Sequence, residues 1–433
     1  MLTEEQRQLG RRDFLKAAAA LPAIGAFAFA NKKIGPLRVG CIGTGSECGV
    51  LQEQMNRSPD FIRQVAVCDI YPPHRAKGLE RARVHVPEAK DCGDDYKKLL
   101  ADDSIEAVVI AVPLWKHAEI ALDAMKAGKH VFTEKTMAYT IDECDQMVNL
   151  AKQKGLVLQV GHQRFYNPIY HQMVSMIKEG LLGDIYHIRM LWHRNTDWRA
   201  NARWTIDESF DPTPWGYQDL EHLINWRLYK KHSQGLMTEL CSHQIAITNW
   251  IAGCRPTAIS ASAGIYRYKD DGREWADHAY AIFEYPKGLT VTYSSIQSNR
   301  FDNYYEELMG TKGTLILTGE TQAMFFPEPG NEAAAPEEKE TTVEVAKDKG
   351  GPAMQASASR VADAGGKAVG SGAASGGGGE SPLEAYKSEL EGFAHAIRTG
   401  ERNLCDGEIG RDAAVAMLKA NEAIEKGQRV ELS

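Results

Sequence analysis

The sequence predicts a protein in two parts, an α/β half on a parallel sheet followed by a half built on an antiparallel sheet. Three observations predict it. Short apolar runs alternate with helical patterns from Leu37 to about Tyr166, as parallel strands joined by right-handed crossovers require. A glycine turn joins the first of these strands to its helix. Between Thr257 and Leu317 the pattern changes to strands separated by short turns, which is the signature of antiparallel hairpins.

The chain has 433 residues, a formal net charge of −8, 43% hydrophobic and 25% charged residues, ordinary values for a soluble globular protein long enough for two domains. Fifty Lys and Arg against 58 Asp and Glu leave no basic field for phosphate backbones, so no nucleic-acid partner is expected. A small neutral or polar substrate is. The eight cysteines are scattered, some within strand-like runs (Cys41, Cys68), with no C-x-x-C pair. They are read as reduced and structural, and no metal site is expected.

At the N-terminus, Arg11-Arg12-Asp13-Phe14-Leu15-Lys16 precedes an uncharged apolar stretch from Ala17 to Ala30 that ends in small residues. Residues 1–30 therefore resemble a twin-arginine export signal, too short to span a membrane comfortably. The expected location is the periplasm or another extracytoplasmic compartment, reached in the folded state and without a permanent membrane anchor.

The first strand, Leu37–Ile42, runs into Gly43-Thr44-Gly45-Ser46-Glu47-Cys48-Gly49, after which a helix begins. Gly43 permits a tight turn, Gly45 lets backbone approach a pyrophosphate, and the helix start offers free N–H groups to the anion. Cys48 stands where the usual fingerprint has its third glycine. The second run, Gln64–Cys68, ends in Asp69, placed to accept hydrogen bonds from an adenosine ribose. That spacing fits NAD; His74 and Arg75 nearby leave NADP open. A buried strand, Ala107–Val112, leads through Pro113 into a helix from His117, and Gly128 stops that helix. The strand His130–Thr133 then delivers Glu134-Lys135-Thr136 to the sheet edge where doubly wound folds bind ligands. There a lysine ammonium can polarise an alcohol or carbonyl oxygen, and its pKa would fall beside a cofactor cation.

These residues, together with Ala111-Val112-Pro113, Gly128-Lys129-His130-Val131, Val160-Gly161-His162-Gln163-Arg164-Phe165 and Gly183-Asp184-Ile185, resemble the Gfo/Idh/MocA oxidoreductase family. The resemblance implies a Rossmann domain over residues 34–166 and a C-terminal domain with an open, mainly antiparallel sheet over 167–326 and 383–433. It also implies NAD(P)-linked oxidation of a ring hydroxyl on a sugar or polyol, and a homo-oligomer assembled through the second sheet. Gly43, Thr44, Gly45, Asp69, Pro113, His117, Glu134 and Lys135 would meet the cofactor. Thr136 replaces the proline that usually follows the motif lysine. The family's downstream Asp-x-x-x-His pair falls on Glu239 and His243, with Glu in place of Asp. On a regular helix these lie one turn apart, so Glu239 would orient His243, the expected general base.

The stretch from Tyr186 to Arg199 is rich in aromatic and hydrogen-bonding groups. Aromatic faces stack on sugar faces while guanidiniums and amides meet hydroxyls. Arg164, Trp192, Arg194, Trp198 and Arg199 are the expected substrate contacts, with a loop packed on the domain face or at a subunit interface, where Trp and Arg are also enriched, as an equal reading of the stretch from Tyr186 to Arg199. Residues 327–382 turn Glu-, Pro- and Ala-rich and then nearly all small, a composition unable to bury a core and expected to form a flexible insertion. After it, two helical stretches should dock back onto the body. The leading expectation is an oxidoreductase with tightly held nicotinamide. A glycoside hydrolase using transient oxidation, and a non-catalytic sugar- or dinucleotide-binding module, are the alternatives.

Overall fold

The computed structural model describes residues 35–331, 343–345 and 382–432. The expected export signal and most of the glycine-rich insertion lie outside these residues.

Six parallel strands form the first sheet: β1 (Leu37–Ile42), β2 (Ile62–Cys68), β3 (Lys90–Asp91), β4 (Ala107–Ile110), β5 (His130–Glu134) and β6 (Leu158–Gly161), in the order β3-β2-β1-β4-β5-β6. The central strands read as unbroken aliphatic runs because both faces are covered, and all four residues of β4 are buried. The covering helices are α1 (Ser46–Asn56), α2 (Pro72–Ala82), the short α3 (Tyr96–Leu100), α4 (His117–Lys126) and α5 (Ile141–Lys154). Helix α5 starts at a reciprocal capping box between Thr140 and Glu143 and stops at Gly155, whose φ is +64°. The strand order reverses between β1 and β4, so their crossovers diverge and open a crevice at the carboxyl ends.

Helix α6 (Pro168–Lys178) leads to a nine-stranded sheet, β14-β13-β12-β11-β7-β10-β9-β8-β15, with β7 spanning Ile185–His193 and β8 to β13 spanning Ala258–Pro327. It is mostly antiparallel, with parallel pairing only at β7/β10 and β13/β14. Strand β14, Val343–Val345, lies within the segment expected to be a flexible excursion and pairs with β13. The short α7 (Leu220–Ile224) and the longer α8 (Ser242–Ala252) lie between β7 and β8.

The last two helices, α9 (Pro382–Thr399) and α10 (Gly407–Lys426), pack across both halves: α9 lies against α1, while α10 lies against α5 and β6 of the first domain and against α8 and β8 of the second. Arg398 of α9 donates to both oxygens of Glu106 at 2.5 and 2.8 Å. Helix α10 sits directly on β6 because Gly410 has no side chain; a Cβ there would lie 2.3 Å from Val160. The chain then ends in β15 (Val430–Glu431), at the edge of the second sheet. Among the described residues no helix is long and apolar enough to cross a membrane.

Candidate active site

The crevice at the carboxyl edge of the first sheet opens into a cavity of about 1070 Å³ that continues between the two sheets. Gly43, Gly45, Asp69, Pro113, His117, Glu134 and Lys135 line one part of it, and Trp192, Arg194, Trp198, Glu239 and His243 another.

The turn after β1 is built for close approach. Gly43 has a φ of +79°, and a Cβ there would stand 2.6 Å from the Val112 side chain and 2.8 Å from the Ala111 carbonyl oxygen. No other residue fits without moving backbone. Gly45 is the N-cap of α1, in extended conformation and without a side-chain cap, so the first N–H groups of that helix remain available to an anion. Thr44 does not line the cavity; it ties the turn to β2. Its amide and hydroxyl donate to Asp69 Oδ2 at 2.6 and 3.2 Å, while the Tyr71 amide donates to Oδ1 at 2.8 Å. Burial raises the Asp69 pKa, and these donors oppose the rise. Arg75 is turned away, paired with Asp91 at 3.1 Å. Only His74 of the two cations that kept NADP open faces the cavity, and burial lowers its pKa toward the neutral form.

His117 joins two loops. Its Nδ1 faces the Thr136 carbonyl at 3.0 Å and its Nε2 the Val112 carbonyl at 2.8 Å. The segment carrying Lys135 is thereby fixed to the end of β4. Glu134 is buried beside Gly161, which leaves room for its carboxyl; Oε2 accepts the Lys135 amide at 3.1 Å and Oε1 has no partner among the described residues. Burial, and then the nearby Glu47, push its pKa up to about 8 from 4.5.

That shift has a testable sign. The folded carboxyl keeps its proton across the interval in which the unfolded one loses it, so its stabilising contribution is full below pH 4.5 and is lost as the pH rises toward about 8. In the nucleotide-free protein, Glu134→Gln should flatten the fall of the urea midpoint across this range. An unchanged slope would show that Glu134 is already ionised.

From the other side, residues Met237–Cys241 form a π turn that runs into α8. Two carbonyls of this turn hold the motif loop: Thr136 Oγ1 donates to the Thr238 oxygen at 2.6 Å and Lys135 Nζ to the Glu239 oxygen at 3.2 Å. The hydroxyl of Thr136, in the place of a ring that cannot donate, thus joins the two domains. The expected Glu239–His243 pair is not formed. Glu239 Oε2 accepts from Arg227 Nε at 3.0 Å and Oε1 from Ser233 at 3.2 Å, while His243 Nδ1 has no partner among the described residues. The reason is the π turn, whose i→i+5 repeat takes positions four apart out of alignment. The His243 ring instead stands edge-on to His162 at 5.9 Å and lies 5.8 Å from Trp192. Burial, then Arg164, Lys135, His162 and Arg194, hold its pKa well below 6.5. It is neutral at neutral pH and has a lone pair to offer.

Two expected substrate contacts fall elsewhere. Arg164 is buried away from the cavity, with Nη1 3.3 Å from Glu306 and Nη2 2.9 Å from Glu320. Arg199 is paired with Glu221 and, at 3.7 Å, with Asp271, and it holds the loop after β7 in shape. Arg203, Arg227, Trp115, Trp204, Trp215 and Trp226 line the cavity and were not expected to. Six of the chain's eight tryptophans thus face it, and the run Trp204, Trp215, Trp226 was the signal available. Residues 198–217 lie across the first domain: Tyr71 donates to the Thr205 carbonyl and accepts from the Asp207 amide, both at 2.7 Å, and Trp204 packs on His74 at 4.2 Å. Among the described residues no cluster of three or more His, Cys, Asp or Glu could hold a metal.

Two family models decide the kinship. Residues 37–162 match the oxidoreductase family with an NAD-binding Rossmann fold, and residues 170–316 match the Gfo/Idh/MocA C-terminal domain. The chain belongs to the Gfo/Idh/MocA family. Its first domain is accordingly an NAD-binding Rossmann domain, as the glycine turn and Asp69 implied. The chain is 35% identical over 165 residues to an α-N-acetylgalactosaminidase of Tannerella forsythia, covering 36% of this chain and 35% of that protein. It is 33% identical over 147 residues to an inositol 2-dehydrogenase/D-chiro-inositol 3-dehydrogenase of Lactiplantibacillus plantarum, covering 34% and 41%. The matches thus span well under half the length of these relatives. A levoglucosan dehydrogenase solved with NADH and levoglucosan shares the fold, at a TM-score of 0.68 and 20% identity over 92% of this chain and 99% of that one.

The residues present fit a dinucleotide. The side-chain-free turn at Gly43, the uncapped start of α1, the anchored Asp69 and the unpartnered Glu134 Oε1 all belong to one cavity.

Proposed function

We propose that this protein is an NAD-dependent oxidoreductase that moves a hydride between a ring hydroxyl of a sugar, polyol or glycoside and a tightly held nicotinamide. The observation that carries this reading is that Lys135 from one domain and His243 from the other line the same cavity as Gly43, Gly45 and Asp69. A bound nicotinamide supplies the hydride acceptor. Lys135, held by the Glu239 carbonyl, polarises the substrate oxygen, and neutral His243 accepts the hydroxyl proton as the carbon loses its hydrogen. The tryptophans offer faces for the C–H side of a sugar ring. Asp69 disfavours a ribose 2′-phosphate, which supports NAD over NADP.

The covering segment 198–217 supports retention of the dinucleotide through turnover. Retention suits an extracytoplasmic enzyme, and the twin-arginine sequence supports export in the folded, loaded state. Exposed Tyr280 and Ile282, neighbouring same-face positions on β9 (His278–Glu284), support a homo-oligomer formed through the second sheet.

Mass spectrometry of nucleotide released on denaturation, from protein purified without added cofactor, should find NAD near one per chain. Sugars and polyols should then change the reduced-nicotinamide absorbance. A protein that holds no nucleotide and binds neither NAD nor NADP would sink the reading. A second reading is favoured by the likeness to the α-N-acetylgalactosaminidase: a glycoside hydrolase that oxidises the ring transiently, eliminates the aglycone and reduces the ring again. Release of aglycone from aryl glycosides with no net change in nucleotide would select it.

A further inference from the structure

The charges around the cavity are divided between its two ends. Glu47, Asp69, Asp94, Asp95, Glu119 and Glu134, with Lys116 and Lys135, line the end formed by the first sheet. At the other end Arg194, Arg203 and Arg227 face a single carboxylate, Glu239. Glu239 is already engaged with Arg227 at 3.0 Å. The side chains of Arg194 and Arg203 make no hydrogen bond or ion pair among the described residues. Arg194 lies just past the end of β7, where its amide donates to the Ile296 carbonyl at 2.7 Å. Its guanidinium lies 4.7 Å from the centre of the Trp192 ring, the same ring that stands 5.8 Å from His243. A guanidinium held against an aromatic ring keeps its N–H groups for a planar oxyanion partner. A half-buried cation facing a cavity without a counter-charge gains most from an anion that enters as water leaves, and burial together with Arg227 and Arg203 pulls the Arg194 pKa down to about 10 while leaving it charged at neutral pH.

We infer that the substrate carries an anionic group, a carboxylate, phosphate or sulfate, which pairs with Arg194 beside Trp192 and His243. The missing counter-charge of this end of the cavity arrives with the ligand. The dinucleotide pyrophosphate is the competing anion, but the uncapped start of α1 that would receive it belongs to the glycine turn of the other domain. The inference rests on the oxidoreductase reading for which end of the cavity takes substrate.

Matched pairs that differ only in charge test it: the methyl glycosides of glucose, galactose and mannose against the corresponding methyl uronides, 6-phosphates and 6-sulfates. Binding is measured by calorimetry on the NAD-loaded protein and turnover by nucleotide absorbance. At least one acid should bind about tenfold or more tighter than its neutral partner, as a charge-assisted pair allows, and the gap should shrink at high salt. Which acid shows the largest gap separates carboxylate from phosphate and sulfate. Arg194→Gln should abolish the gap and Arg194→Lys should keep part of it. Equal or tighter binding of every neutral partner, or no binding of any acid, overturns the inference. So does an Arg194→Gln variant that loses its NAD while keeping the gap, because the arginine would then serve the cofactor. Tight binding of an acid with no turnover of any sugar upholds the inference and ends the oxidoreductase reading. Turnover that ignores charge does the reverse.

Discussion

Lys135→Met should lower turnover of any accepted ring hydroxyl by roughly 10²–10⁴-fold, the range for a positioned proton-transfer group, while the variant retains its nucleotide. The argument is geometric. Lys135 follows β5, lines the cavity, and has its ammonium fixed at 3.2 Å from the Glu239 carbonyl, a neutral oxygen that neither accepts its proton nor occupies its remaining donors. Methionine keeps much of the stem and removes the charge. The residual activity carries a second readout. Lys135 is among the charges that hold the His243 pKa well below its ordinary value, so its removal should move the acid limb of the pH profile upward. A fall in kcat with an unmoved acid limb would separate the two residues, and unchanged turnover would remove Lys135 from the chemistry.

The second large effect is structural. Arg164→Met should destabilise the fold by about 3–5 kcal/mol, because it leaves a buried carboxylate without its counter-charge. For a chain of this size that is a drop in Tm of about 4–6 °C. Glu306 accepts the Tyr304 hydroxyl at 2.7 Å and lies 3.3 Å from both Arg164 and Tyr170, all of them buried. Burial raises the pKa of Glu306, and Arg164 opposes that rise. Were Arg164 a substrate contact, the variant would raise KM with little change in Tm. Differential scanning calorimetry beside steady-state kinetics distinguishes the two.

The parallel sheet was legible because strands buried on both faces appear as aliphatic runs, and the turn at Gly43 because steric demand there permits one residue type. Lys135 was legible through its place after β5. Glu239 was misjudged because a helical repeat was assumed where the backbone makes a π turn, and nothing in Met237–Cys241 announces one. Arg164 was misjudged for a different reason: its partners Glu306 and Glu320 are remote in sequence and reach it only through the second sheet. The tryptophan wall was missed past Trp198 because Trp204, Trp215 and Trp226 belong to irregular chain, where no periodicity marks which residues share a surface. The C-terminal helices carried the right pattern, but the glycine that lets α10 rest on β6, Gly410, shows its purpose only against Val160.

The π turn also makes the site depend on a length. Segment Met237–Cys241 accommodates one residue more than a regular helix would need, and each residue of a regular helix turns the next by about 100°. Removing any one of these five, whatever its identity, would let the helix close into uniform α geometry and swing His243 away from Lys135. For most helices the composition is guarded and a conservative exchange is harmless. Here the spacing between two domains' contributions is the constraint, so a one-residue deletion in this turn should abolish activity where a conservative substitution keeps part of it.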